Sequence, residues 1–219
     1  MFESVVADWS ALAISLALIG IYHSYLRWRV RQDPHFAVHS VNALARTKWV
    51  EGIMGSGSKD VLAVQTLRNS VMAASIMAST AALLVLGTLT FSSDIEKFAK
   101  AWRALGLIAS SHAEIRMINL VLLLADFVIA FYCYSMAIRL FNHVGYMINV
   151  PPAAAVGALS QEYVAAYLNR AGRYYSLGMR TFYFAVPLVF WFVGPHLMVL
   201  ATLGLMGGLY MLDRAPAGP

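Results

Sequence analysis

Four apolar runs, roughly residues 10–26, 71–91, 117–138 and 183–211, constrain this chain more than anything else in it. A hydrocarbon core about 30 Å thick takes about 20 mostly apolar residues to cross as a helix. Three of the runs approach or exceed that length, and the first nearly does. The expected fold is therefore all-α: a polytopic membrane bundle with four transmembrane helices, near 9–26, 69–91, 115–141 and 181–211, in a single membrane domain. Charged residues make up only 12% of the sequence, about half the share of a soluble domain. The formal net charge is +5. The basic residues cluster at helix ends, where anionic lipid and the positive-inside bias account for them, so the bilayer is the expected partner and nucleic acid is not. The lone cysteine, Cys133, cannot form an intrachain disulfide. The start, Met1-Phe2-Glu3 with Asp8 following, lacks the basic region of a signal peptide, so the first run is expected to persist as a helix.

The segments between the runs are also patterned. After Arg27, Arg29 and Arg31, the residues Leu44, Trp49, Val50, Ile53 and Met54 predict a short amphipathic helix near the membrane surface. Gly55-Ser56-Gly57-Ser58 ends it, and Ser58 or Asp60 can cap the next helix. In that helix Ala74, Ser75, Ala78, Ser79 and Ala82 form small-residue pairs that let backbones approach. Ile95, Phe98, Trp102 and Leu105 predict a second surface helix, and Ser111-His112-Ala113-Glu114 a capping box that opens the third span. Pro151-Pro152 marks a break. Residues 161–177 predict one more helix, and Pro187 and Gly194-Pro195 predict kinks in the last span. On this four-span reading eleven Lys or Arg fall on one side and five on the other: Lys97, Lys100, Arg103, Arg116 and Arg214. The richer side is cytoplasmic, which puts both termini outside the cytoplasm.

Asp126, set in Leu-Leu-Leu-Ala-Asp-Phe-Val, is the sharpest chemical feature. A carboxylate at that depth is expensive and is by default a functional candidate. Unpaired, it should take a proton; the plainer alternative is a hydrogen bond that ties two helices. His196 is its candidate partner, because the two lie about 20 and 24 Å from the basic ends Arg139 and Arg180 when helix rise is counted. Arg139, Asn142 and His143 share one helix face. With Arg68, Asn69, Arg173 and Arg180 they are expected to gather as a polar cluster at the cytoplasmic side, suited to an anion or a lipid headgroup. His23 and His143 lack the pairing that would specify haem, and no spacing of His and Cys specifies a metal. No cofactor, metal site or catalytic residue is expected.

The segments Arg139-Leu-Phe-Asn-His-Val-Gly-Tyr-Met-Ile-Asn-Val-Pro151, Arg173-Tyr-Tyr-Ser-Leu-Gly-Met-Arg-Thr-Phe-Tyr-Phe-Ala-Val-Pro187 and Thr66-Leu-Arg-Asn-Ser-Val-Met-Ala-Ala-Ser75 resemble the uncharacterised membrane family called domain of unknown function 599. The resemblance implies a bacterial multi-pass membrane protein and supplies no reaction or substrate. The functional expectation is an oligomeric channel or transporter-like protein of the bacterial inner membrane. The alternative is a non-catalytic accessory or scaffold subunit of a larger membrane complex.

Overall fold

A computed structural model describes residues 2–33, 36–56, 60–104 and 113–215 of the chain, without the side chains of 2–4, 56, 60, 94–104 and 152. The named elements are all helical: α1 (Phe2–Gln32), α2 (Val38–Ser56), α3 (Asp60–Ala104), α4 (Ala113–Met147), α5 (Gln161–Trp191) and α6 (Pro195–Asp213), with two 3-10 turns at Pro152–Ala154 and Gly157–Leu159. Four segments are long and apolar enough to cross a membrane: Val5–Gln32, Val61–Ser93, Ala113–Met147 and Pro195–Asp213.

Helix α3 shows why such a sequence stays helical in an apolar setting. Thr66, Ser70, Thr80, Thr88 and Thr90 each donate their hydroxyl to the carbonyl four residues back, and Ser92 and Ser93 to the carbonyl three back. Their polar atoms are thus satisfied within the helix itself. Of the predicted small-residue pairs, Ala74 and Ala78 are buried, Ser75 and Ala82 are half-buried and Ser79 is exposed. The backbone stays helical past the expected end of the span, to Ala104. The side chains expected to make a surface helix there, Ile95, Phe98, Trp102 and Leu105, lie outside the described residues, as do Ser58, Ser111 and His112.

The expected last span is two helices. Helix α5 begins at Gln161, absorbs the predicted 161–177 helix and continues through Pro187 to Trp191. Its end is tightened by i→i−3 bonds from Phe192 to Val189 and from Val193 to Phe190. Gly194 is extended, and Pro195, which has no N–H to satisfy, opens α6.

The chain divides into two compact units. The first holds residues 1–38, 82–128 and 181–219. Within it, Ala11 of α1 clusters with Ile115, Trp191 and Met198. Further along, Tyr22 and Leu26 cluster with Leu209, and Ala215 N–H donates to the Phe36 carbonyl at 2.9 Å. Helix α6 therefore runs parallel to α1, and the α5 segment between Phe184 and Trp191 runs against both. Because the chain reverses at 192–194, Phe2 and Ala215 belong to opposite ends of α1.

The second unit holds residues 39–81 and 129–180. Its core joins Val50, Ile53 and Met54 of α2, Ala63, Leu67 and Ala74 of α3, Ala137, Leu140, Phe141 and Val144 of α4, and Val164, Ala165, Leu168 and Ala171 of α5. Val50, Ile53 and Met54 of α2, expected near the membrane surface, are instead buried in this core, while Leu44 is 47% exposed. Tyr134 is fully buried against α5, where a Cβ at position 178 would stand 2.8 Å from its ring. Gly178 is what lets that ring lie on the helix backbone.

Candidate functional site

Asp126 belongs to the first unit, on α4 between the buried Leu123 and Phe127, which pack with Ala185 of α5. It lies eleven residues, about 16 Å of helix rise, beyond Ile115. Its Oδ2 is enclosed and has no hydrogen-bond partner among the described residues. The expected partner does not reach it. His196 is exposed at the start of α6, two residues before Met198, which sits level with Ile115. The depth estimate failed because Arg180 is not at the end of its helix. In the second unit Tyr134 packs with Tyr175, and Phe141 shares a core with Leu168, so Arg139 stands near the level of Arg170. Arg180 is ten residues deeper, about 15 Å.

Arg68, Asn69, Arg139, Asn142, His143 and Arg173 are exposed, and Arg180 is partly buried. His143 meets the edge of the Tyr167 ring at 6.5 Å. Of the seven, Arg173 alone lines the groove described below, a hollow of about 190 Å³ between Arg170, Arg173, Tyr174 and Leu177. These four stand at i, i+3, i+4 and i+7 on one face of α5.

Arg46 carries no sequence signal, since its partners are distant in the chain. Its Nε donates to Asn169 Oδ1 at 2.9 Å, Asn169 Nδ2 donates to Thr47 Oγ1 at 3.0 Å, and Thr47 donates to the Ala43 carbonyl at 3.0 Å. The guanidinium rests on the backbone of Gly172, where a Cβ would come within 2.7 Å of its Cζ. Burial first, and the charge of Arg173 second, pull the Arg46 guanidinium below its ordinary range. Arg170 lies over the Tyr174 ring at 5.9 Å. Among the described residues, carboxylates do not offset this group: Glu51 pairs with Lys48 at 2.8 Å, and Glu162 is held by its own backbone N–H and by Ser160. The second unit carries eight Lys or Arg against three acidic residues, and the first eight against eight. The whole net charge of +5 therefore belongs to the second.

Asp8, Ser15, Tyr22 and Arg29 recur every seven residues along α1. Trp191 Nε1 donates to Asp8 at 2.9 Å, the Ser15 and Thr202 hydroxyls bond at 3.1 Å, Tyr22 OH donates to Asp213 at 2.6 Å, and Arg29 sits 4.6 Å over the Phe36 ring. Asn119 adds a further tie. Its amide donates at 3.0 Å to the Leu188 carbonyl, one of those left without a helical donor at the end of α5. A seven-residue repeat of polar side chains within an apolar run was the available signal.

No curated protein and no solved structure matches the chain. The profile of one family, described as "Protein of unknown function, DUF599", matches residues 10–217, which is nearly the whole chain, and with the long apolar helices and the quoted segments in agreement, the protein belongs to that family.

Proposed function

We propose that this is a bacterial inner-membrane protein with five passes, its N-terminal end outside and its C-terminal end in the cytoplasm, and that it works as an oligomeric, proton-handling transporter-like protein centred on Asp126. The parallel register of α1 and α6 supports the odd number of passes. It also moves Arg214 to the basic side, leaving only Lys97, Lys100, Arg103 and Arg116 on the other, which strengthens the positive-inside bias. From Asp8 to Arg29 helix α1 rises about 31 Å, the thickness of a hydrocarbon core. Reporter fusions after residue 56 and at the C-terminus should then report the same compartment; opposite compartments would sink the odd-pass topology.

The single observation behind the transport reading is the enclosed, partnerless Oδ2 of Asp126. A carboxyl group halfway along a spanning helix persists by holding a proton or by meeting a donor from another chain. Both outcomes suit a route between copies, since a few helices enclose little space of their own. The test is proton movement into liposomes under an imposed potential, comparing the wild type with Asp126→Asn alongside a stability measurement. Lost movement with an unchanged unfolding midpoint supports the reading; equal movement in both defeats it. The alternative, an accessory or scaffold subunit, is favoured by the ladder of hydrogen bonds along α1, which suits a fixed frame.

A further inference from the structure

We propose that Arg46, Arg170 and Arg173 form a binding site for a phosphate group, carried by an anionic lipid headgroup or by a free phosphate ester, with Tyr174 as one wall. The argument is independent of Asp126 and rests on three observations. The first is preorganisation. Asn169 holds Arg46 by Nε, and the bare backbone of Gly172 gives its planar group a seat. The remaining guanidinium nitrogens of Arg46 have no hydrogen-bond acceptor among the described residues. A fixed fork of donors matches the oxygens of a phosphate, which a flexible lysine would not do as well.

The second observation is uncompensated charge. Arg46 and Arg173 are close enough for one to act on the other, and the acidic side chains described in this unit are engaged elsewhere. Two neighbouring cations repel, and an anion between them turns the repulsion into two charge-assisted hydrogen bonds. The third is room. The hollow of about 190 Å³ opens beside Arg170 and Arg173, with Leu177 and Tyr174 supplying an apolar wall. That mixture suits a phosphate attached to something less polar. The surplus of positive charge in this unit would draw such a group in from a distance.

The test uses the full chain in a zwitterionic detergent, titrated at fixed ionic strength with short-chain phosphatidic acid, short-chain phosphatidylcholine and inorganic phosphate, with intrinsic fluorescence as readout. Saturable binding of phosphatidic acid or of phosphate is expected. Arg173→Gln and Arg46→Gln should each weaken it about tenfold or more, as befits loss of a hydrogen bond between charged groups. Arg139→Gln, the same change of charge at an exposed site outside the groove, should leave it within about twofold. Phosphatidic acid binding that inorganic phosphate does not displace assigns the site to a lipid headgroup; displacement assigns it to free phosphate esters. Arg173→Gln removes an exposed side chain, so it remains informative if Arg46→Gln unfolds the protein. Equal weakening by Arg139→Gln would reduce the effect to diffuse charge and overturn the site, as would the absence of saturable binding to either anion.

Discussion

The two units use polar side chains in opposite ways. In the first, charges balance, and polar groups face inward to join helices: Asp8 to Trp191, Ser15 to Thr202, Tyr22 to Asp213. In the second, the core is a continuous apolar cluster drawn from α2 to α5, and much of the positive charge stays outside it. The difference teaches what each setting leaves to the side chains. Lipid tails are as apolar as leucine, so contact between spanning helices gains little from hydrophobicity, and close packing with hydrogen bonds must set the register. Where α2 and the first half of α5 contribute polar faces, burial of Val50, Val144 and Val164 can draw on the hydrophobic effect, and polar groups are released for other work.

Trp191→Ala should give the largest effect, about 3–5 kcal/mol lost, since a buried tryptophan leaves a large cavity as well as a lost hydrogen bond. Chemical unfolding in micelles measures it, with the exposed Trp28→Ala as reference. Equal costs for the two would break the claim that inward polar groups join the helices of the first unit. Gly178→Ala comes next. Its Cβ meets the Tyr134 ring at 2.8 Å, and overpacking should remove about 1–3 kcal/mol from the second unit. A neutral outcome would mean that the ring yields and the core is looser than its burial implies. Tyr22→Phe keeps the ring and deletes the bond to Asp213, at a cost of about 0.6–1.7 kcal/mol, the range of hydrogen bonds between spanning helices. A cost near zero would leave the ladder along α1 as geometry without energy.

The smallest effect concerns the start of α5. The backbone N–H of Glu162 first, and the Ser160 hydroxyl second, hold its carboxyl below the ordinary glutamate range. A pKa lowered by folding stabilises the folded state above the unfolded value, and the gain disappears as pH falls through the folded one. An NMR titration should therefore find Glu162 titrating below an unperturbed glutamate, and Ser160→Ala should bring it part of the way back. Titration at or above the ordinary value would place Glu162 with the unengaged surface charges, and would weaken the argument that this unit's acids are spoken for.

Spans, the Pro151-Pro152 break and the interruption at Gly194-Pro195 were legible because each depends on local physics: run length against bilayer thickness, a missing N–H, a residue without a Cβ. Asp126 stood out for the same reason, as a carboxylate among leucines. What followed the interruption was not legible. A Gly-Pro pair reads equally as a kink or a reversal, and only the packing of Met198 on Ala11 and Leu209 on Tyr22 and Leu26 makes it a reversal. That choice set α6 parallel to α1 and left His196 away from Asp126. Arg46 was hidden because its partners, Asn169 and Gly172, are more than a hundred residues away in the chain. Periodicity reports which face of a helix is apolar; it carries nothing about rotation toward a neighbour or about which helix that neighbour is. The sequence by itself thus determined that the chain is helical, where its long helices lie and that a carboxylate is set deep in one of them. Tertiary structure alone decided the direction of α6, the inward turn of α2 and the approach of Arg46 to Arg173, because those depend on contacts between segments distant in the chain.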